Sequence, residues 1–204
     1  MKKVAVIGSL FAIILVFFGI RRYANYAVKK GSSFMNQFEN NNNKQQLNNK
    51  HESDEILTIY YSNSGATEKA AKYIHRQVSG DLVEMKLTPN YPDDYQQLAE
   101  VSKDQIDNNV HPRIDNLPDL SKYRVIFLGF PTWYHRPPMF INTFFETGHF
   151  NGQTVIPFTT SMSSGIDESA SYLEKMGQNK KIDLQDGFRA NNQTTIDKFI
   201  KQYQ

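Results

Sequence analysis

Cysteine is absent from this chain of 204 residues and tryptophan occurs once. With no thiol to acylate, lipoprotein processing is excluded, while an oxidising exterior remains compatible but not required. Neither common nucleotide loop is present. The turn Ser62-Asn63-Ser64-Gly65-Ala66-Thr67 has no lysine after its glycine, so it is no Walker A loop, and it has one glycine where the dinucleotide fingerprint spaces three. His75, His111 and His149 are scattered without metal-ligand spacing, and no metal site is expected. Two segments are also defined by what they lack: residues 4–20 carry no charge, and residues 31–53 have too few apolar residues to build a core.

The uncharged run is almost wholly apolar and is bracketed by Lys2 and Lys3 and by Arg21 and Arg22. A helix over it would reach about 25 Å, the short end of what spans a bilayer. A cleaved signal peptide also begins with a short basic start. Arg21 and Arg22 follow the apolar run directly, however, and Ala24 and Ala27 have the wrong spacing for a small-x-small cleavage site. The expectation is therefore a transmembrane signal anchor over residues 1–22, a polar linker over 23–53 that includes Asn40-Asn41-Asn42-Asn43, and a soluble domain over 54–204.

Charge divides at the same boundary. Residues 1–53 carry eight Lys/Arg and two Asp/Glu, whereas residues 54–204 carry fifteen and nineteen, so the net charges are +6 and −4. A basic segment beside an apolar run argues for anionic lipid headgroups, and a mildly acidic domain argues against nucleic acid as its ligand. The positive-inside count over Arg21, Arg22, Lys29 and Lys30 favours a cytoplasmic domain. The three-residue start has the look of an exported signal anchor. The expectation taken is a single-pass protein with its domain on the extracytoplasmic side.

Within the domain, residues 56–61 are rich in β-branched and aromatic residues, as a buried strand is. Ala70, Ala71, Ile74 and Val78 then fall near helical spacing within residues 68–78. Residues 81–87 alternate through Leu82, Val83, Met85 and Leu87 as a second strand would, and Thr88-Pro89-Asn90 breaks it. Tyr91-Pro92-Asp93 reads as a turn whose Asp93 caps a helix over 94–108. Residues 124–130 hold Val125, Ile126, Phe127 and Leu128 in one block, the pattern of a central strand buried on both faces.

Pro137 and Pro138 can open a helix in which Phe140, Ile141, Phe144 and Phe145 make one aromatic stripe, a core feature. A strand over 154–159, a helix over 167–176, a weak strand within 181–189 and a last helix over 192–203 complete the order. Such alternation predicts an α/β fold: a parallel sheet covered on both faces, with ligands outside the carboxyl ends of its strands.

The most telling stretch joins the first strand to the first helix. Free N–H groups and the partial positive charge of a helix N-terminus attract an anion, and Ser62, Ser64 and Thr67 offer hydroxyl donors. Gly65 permits a close approach or a positive φ. A hydroxyl-rich turn without lysine suits a terminal monophosphate. The plain alternative is an ordinary cap in which Ser64 or Thr67 satisfies the orphan N–H groups.

Three loops follow strand ends: Ser62 to Thr67, Pro131-Thr132-Trp133-Tyr134, and Thr160 to Gly165. With Gly129-Phe130-Pro131 and Gly152-Gln153-Thr154-Val155-Ile156-Pro157-Phe158, they resemble the flavodoxin-like family, in particular its bacterial flavodoxin-domain oxidoreductase branch, over about residues 54–204. The resemblance implies a three-layer sandwich with a five-stranded parallel sheet of order 2-1-3-4-5, and FMN held non-covalently. By motif match, Ser62, Asn63, Ser64, Gly65, Ala66 and Thr67 would hold the 5′-phosphate. Pro131, Thr132, Trp133 and Tyr134 would line the flavin ring, and Ser163, Ser164 and Gly165 would close its other side. The family often has Thr where this chain has Ser64 and Asn where it has Ala66; Ser64 keeps a hydroxyl, and Ala66 keeps only its backbone N–H.

Trp133 and Tyr134 could stack on a flat apolar ring or simply pack in the core. His135 and Arg136 stand where they could reach the ring's edge or an anionic substrate. Three functions remain open on these grounds. The first is a membrane-tethered FMN protein in electron transfer, working with a redox partner protein or a small acceptor. The second is an FMN-dependent NAD(P)H:quinone-type oxidoreductase. The third is a binding module that has kept the fold and lost the cofactor, towards which only Ala66 leans.

Overall fold

A computed structural model describes residues 55–203. The expected anchor over 1–22 and linker over 23–53 lie outside the described residues. Among the described residues no helix is long and apolar enough to cross a membrane.

In chain order the elements are β1 (Ile56–Tyr60), α1 (Ala66–Val78), β2 (Asp81–Glu84), β3 (Leu87–Thr88), α2 (Tyr95–Asp107), β4 (Arg113–Ile114), β5 (Val125–Pro131) and α3 (Phe140–Thr147). They continue with β6 (Gln153–Thr160), α4 (Asp167–Gly177), β7 (Ile182–Leu184), β8 (Phe188–Arg189) and α5 (Gln193–Ile200). The main sheet runs β2-β1-β5-β6, and β7 and β8 both pair with the far side of β6. Every pairing in it is parallel. With β7 and β8 counted as one interrupted strand, this is the order 2-1-3-4-5.

Alternation along the central strands builds two cores. Leu57, Ile59, Ile126 and Leu128 face α2, α3 and α4, where Phe140, Ile141, Phe144 and Phe145 are buried to 1% exposure or less. Ile56, Tyr60, Val125 and Phe127 face α1 and α5, against Ala71, Ile74, Ile196 and Ile200. Burying a side chain of this size is worth about 1.5–3 kcal/mol, which makes the two apolar layers the chief source of stability. Gly129 of β5 pairs with Phe158 of β6, and a Cβ at Gly129 would strike the Phe158 ring. The tip of the aromatic ring therefore occupies the space a side chain at 129 would need.

Three expectations are corrected. The second strand stops at Glu84, because Leu87 and Thr88 turn away to pair antiparallel with Ile114 and Arg113 in a separate two-stranded ribbon. The cap of α2 is Asp94 rather than Asp93: the Asp94 carboxylate accepts the Gln97 N–H at 2.9 Å. The weak last strand is split, with β7 and β8 separated by residues 185–187, so that Phe188 and Arg189 pair with Phe158 and Thr159 at the carboxyl end of β6.

Candidate functional site

Because β1, β5 and β6 are parallel neighbours, their carboxyl ends bring residues 61–67, 131–136 and 160–166 to one edge of the sheet. All thirteen residues singled out for the cofactor lie in these loops.

At the first loop, α1 opens on Gly65 with φ +82° and has no side-chain cap. The ordinary-cap alternative for Ser64 and Thr67 is thus not what forms. Open space surrounds the Gly65 Cβ position, whose nearest neighbour would be Glu68 Oε2 at 4.0 Å, so it is the left-handed backbone that demands glycine. Ser62 Oγ is buried without a hydrogen-bond partner among the described residues. Exposed Ser64 and Ala66 flank the open helix end. The uncapped N–H groups and the unspent Ser62 hydroxyl are the donor set an anion needs. Thr67 is different: it is 1% exposed, and its hydroxyl meets that of Thr160 at 2.7 Å, tying α1 to the end of β6. Asn63 is fixed from two sides, accepting from the Tyr61 hydroxyl at 3.0 Å and donating to the Pro92 carbonyl at 3.3 Å.

The second loop is fastened to the third. The Thr132 and Thr159 hydroxyls meet at 2.6 Å, Thr159 also donates to the Phe130 carbonyl at 2.9 Å, and the Thr132 N–H donates to the Thr160 carbonyl at 3.0 Å. Residues 133–136 form a tight turn in which Trp133 and Arg136 exchange two backbone hydrogen bonds of 3.1 Å. Tyr134 and His135 have φ of 49° and 60°, the positive pair that type I′ turns require. Left-handed backbone costs a non-glycine residue about 1–2 kcal/mol, and four side chains running in three directions offset it. Trp133 sets its ring edge-on to Tyr91 and Tyr61, at centroid distances of 4.8 and 6.2 Å. The Tyr134 hydroxyl donates to the Ala99 carbonyl of α2 at 2.9 Å. His135 Nδ1 pairs with Glu168 of α4, and Arg136 lies 4.4 Å from the centre of the Tyr172 ring.

Ser164, His135 and Glu168 have the residue types of a hydrolytic triad. Both Ser164 Oγ, at 3.3 Å, and the Glu168 carboxylate meet the same ring nitrogen, Nδ1, so no proton relay runs through the imidazole. The hydrogen bonds from His135 and Ser164 hold the Glu168 carboxyl below its ordinary pKa. Burial raises the Tyr61 hydroxyl to about 12, with Asp93 and Glu84 adding to the effect, so it stays a neutral donor to Asn63.

In the third loop, Ser161 Oγ accepts the N–H groups of Ser163 and Ser164 at 3.2 and 2.8 Å. Met162 at its tip is 99% exposed. Gly165 leaves no room for a Cβ, which would run into the Asp167 carboxylate. Two residues outside every motif organise this loop: Arg189 donates to the Ser161, Met162 and Ser163 carbonyls, and Asn191 brackets Ser161. The one usable signal for them was strand register. Once β8 is set parallel to the end of β6, Arg189 falls beside Thr159 and next to the loop.

Fold and site together define an α/β protein with an anion-ready turn and two further loops at the carboxyl edge of a parallel sheet. The chain belongs to the flavodoxin family: the family model described as Flavodoxin matches residues 55–203. Among solved structures, a candidate flavoprotein from Bacteroides uniformis ATCC 8492 is 30% identical with a TM-score of 0.62, covering 72% of this chain and 97% of its own. A second, from Bacteroides eggerthii DSM 20697, is 28% identical with a TM-score of 0.63 over 73% and 97%. A flavoprotein from Lactobacillus acidophilus NCFM in complex with FMN is 22% identical with a TM-score of 0.60 over 74% and 98%, a likeness of fold. No curated protein matches the chain.

Proposed function

We propose that this chain is an FMN-binding flavodoxin that transfers electrons while held at a membrane by its N-terminal segment. Family membership supports FMN as the cofactor, as does the FMN complex of the Lactobacillus acidophilus structure. The single observation that carries the reading is the pairing of the uncapped, left-handed start of α1 with the unspent hydroxyl of Ser62. A dianionic phosphate fits both, and a protein without such a ligand gains nothing from leaving them open.

In this reading Ser62 and the N–H groups at the start of α1 grip the phosphate. Residues 131–134 and 163–165 line the ring, with Trp133 held edge-on by Tyr61 and Tyr91. FMN supplies the redox chemistry when bound. The chain binds, orients and shields, and no acid, base or nucleophile of its own is required. The apolar run at residues 4–20 supports the tether.

One observation favours the two-electron reductase instead. His135 is exposed, with Nδ1 committed to Glu168 and Ser164, which leaves its other ring nitrogen open to a substrate. Full-length protein purified in detergent and mixed with FMN separates the readings. Stoichiometric uptake with a yellow spectrum and quenched flavin fluorescence supports both redox readings, and steady NAD(P)H oxidation by the loaded protein selects the reductase. A colourless, FMN-indifferent chain sinks both. Trimming of the domain by protease added to intact cells tests the side of the membrane.

A further inference from the structure

We infer that Arg189 is the positioning residue of the ring-side loop: it sets the path of residues 161–163 and, through that path, the grip on FMN. The second half of this inference rests on the reading just proposed.

Arg189 Nη2 donates to the Ser161 and Met162 carbonyls, both at 2.7 Å, and Nη1 reaches the Ser163 carbonyl at 3.4 Å. Three successive carbonyls converging on one planar cation oblige the loop to wind around it. Because each peptide is planar, the N–H groups of Met162, Ser163 and Ser164 are turned away from Arg189. Ser161 Oγ collects the last two of these. Asn191 then holds Ser161 from both sides, accepting its N–H at 3.2 Å and donating to its carbonyl at 2.6 Å.

The loop therefore has one shape before any ligand arrives, and a ligand that fits it bears no ordering cost there. Lysine cannot substitute, because a compact point charge lacks the guanidinium fork. Among the described residues no carboxylate pairs with Arg189. Its charge is met only by carbonyl dipoles, so it also favours an electron-rich group bound across the loop.

The test compares the full-length chain with Arg189→Gln and Arg189→Lys. Expected for Arg189→Gln is an FMN Kd weakened by about tenfold or more, mainly through faster release. The Ser163 and Ser164 amides should exchange faster in the ligand-free protein, while its melting temperature is nearly unchanged. Arg189→Lys, which keeps the charge and guards against simple misfolding, should recover little of the affinity or the protection. Wild-type affinity with protected amides in Arg189→Gln would overturn the inference, and full recovery in Arg189→Lys would overturn the role of the fork. If the unaltered chain takes up no FMN but Arg189→Gln still opens the loop, the cofactor reading and the ligand half of this inference fall together. The loop half then stands on the amide exchange.

Discussion

The loops at residues 62–67 and 160–165 lie at the same edge of the same sheet, yet they use their polar groups in opposite ways. The first leaves a helix uncapped and a buried serine hydroxyl without a partner. The second commits the carbonyls of residues 161–163 and the N–H groups of Ser161, Ser163 and Ser164 to Arg189, Asn191 or its own Ser161. Donors left unspent mark where binding energy is waiting, and donors already committed mark where shape is fixed in advance. In the proposed reading a phosphate, small and doubly charged, would be met by the first kind of loop, and a flat ring, needing a slot more than a charge, by the second.

The sharpest way to break this contrast is Ser64→Asp. A carboxylate at the start of α1 favours the helix dipole, so the ligand-free protein should melt at the same or slightly higher temperature. The same charge repels phosphate, and FMN affinity should fall by about a hundredfold or more in a fluorescence titration. Next in size is Ser62→Ala. A hydrogen bond to a charged group is worth about 1.5–3 kcal/mol, so affinity should fall by about tenfold or more. Thermal stability should hold, because the hydroxyl bonds to nothing in the free protein.

The ring side should respond the other way round. Thr159→Val removes a buried hydroxyl bonded to the Phe130 carbonyl and the Thr132 hydroxyl, and should cost about 1–2 kcal/mol of stability in a denaturant melt, with FMN affinity changed only a few-fold. Glu168→Gln should have the smallest effect. Because its partners lower the Glu168 pKa in the folded protein, the bridge contributes fully above the ordinary carboxylate range and is lost as pH falls through the lowered value. Melting temperatures of wild type and Glu168→Gln should therefore differ slightly at neutral pH and converge in acid.

Much of this arrangement was legible in the sequence where periodicity or glycine chemistry speaks locally. The block Val125-Ile126-Phe127-Leu128 is buried on both faces, and the stripe Phe140, Ile141, Phe144, Phe145 is core. Gly65 does adopt the positive φ that its turn allows. What escaped depends on distant register. Leu87 continues the alternation of β2 in sequence but pairs with Ile114, and no local pattern announces a partner 27 residues away. Asp94 takes the place expected of Asp93, because its extended backbone lets its carboxylate accept the Gln97 N–H, and no local pattern separates two adjacent aspartates. Arg189 follows no motif because its task is set by the strand beside it, and the contact of Thr67 with Thr160, 93 residues on, has no local signal either.

The turn at residues 133–136 touches the interior through Trp133, α2 through Tyr134 and α4 through His135 and Arg136. It acts as a keystone: no single hinge can displace it, since two helices and an aromatic cluster would have to yield together. Its amides at Trp133 and Arg136 should accordingly be among the slowest of the surface turns to exchange in the ligand-free protein.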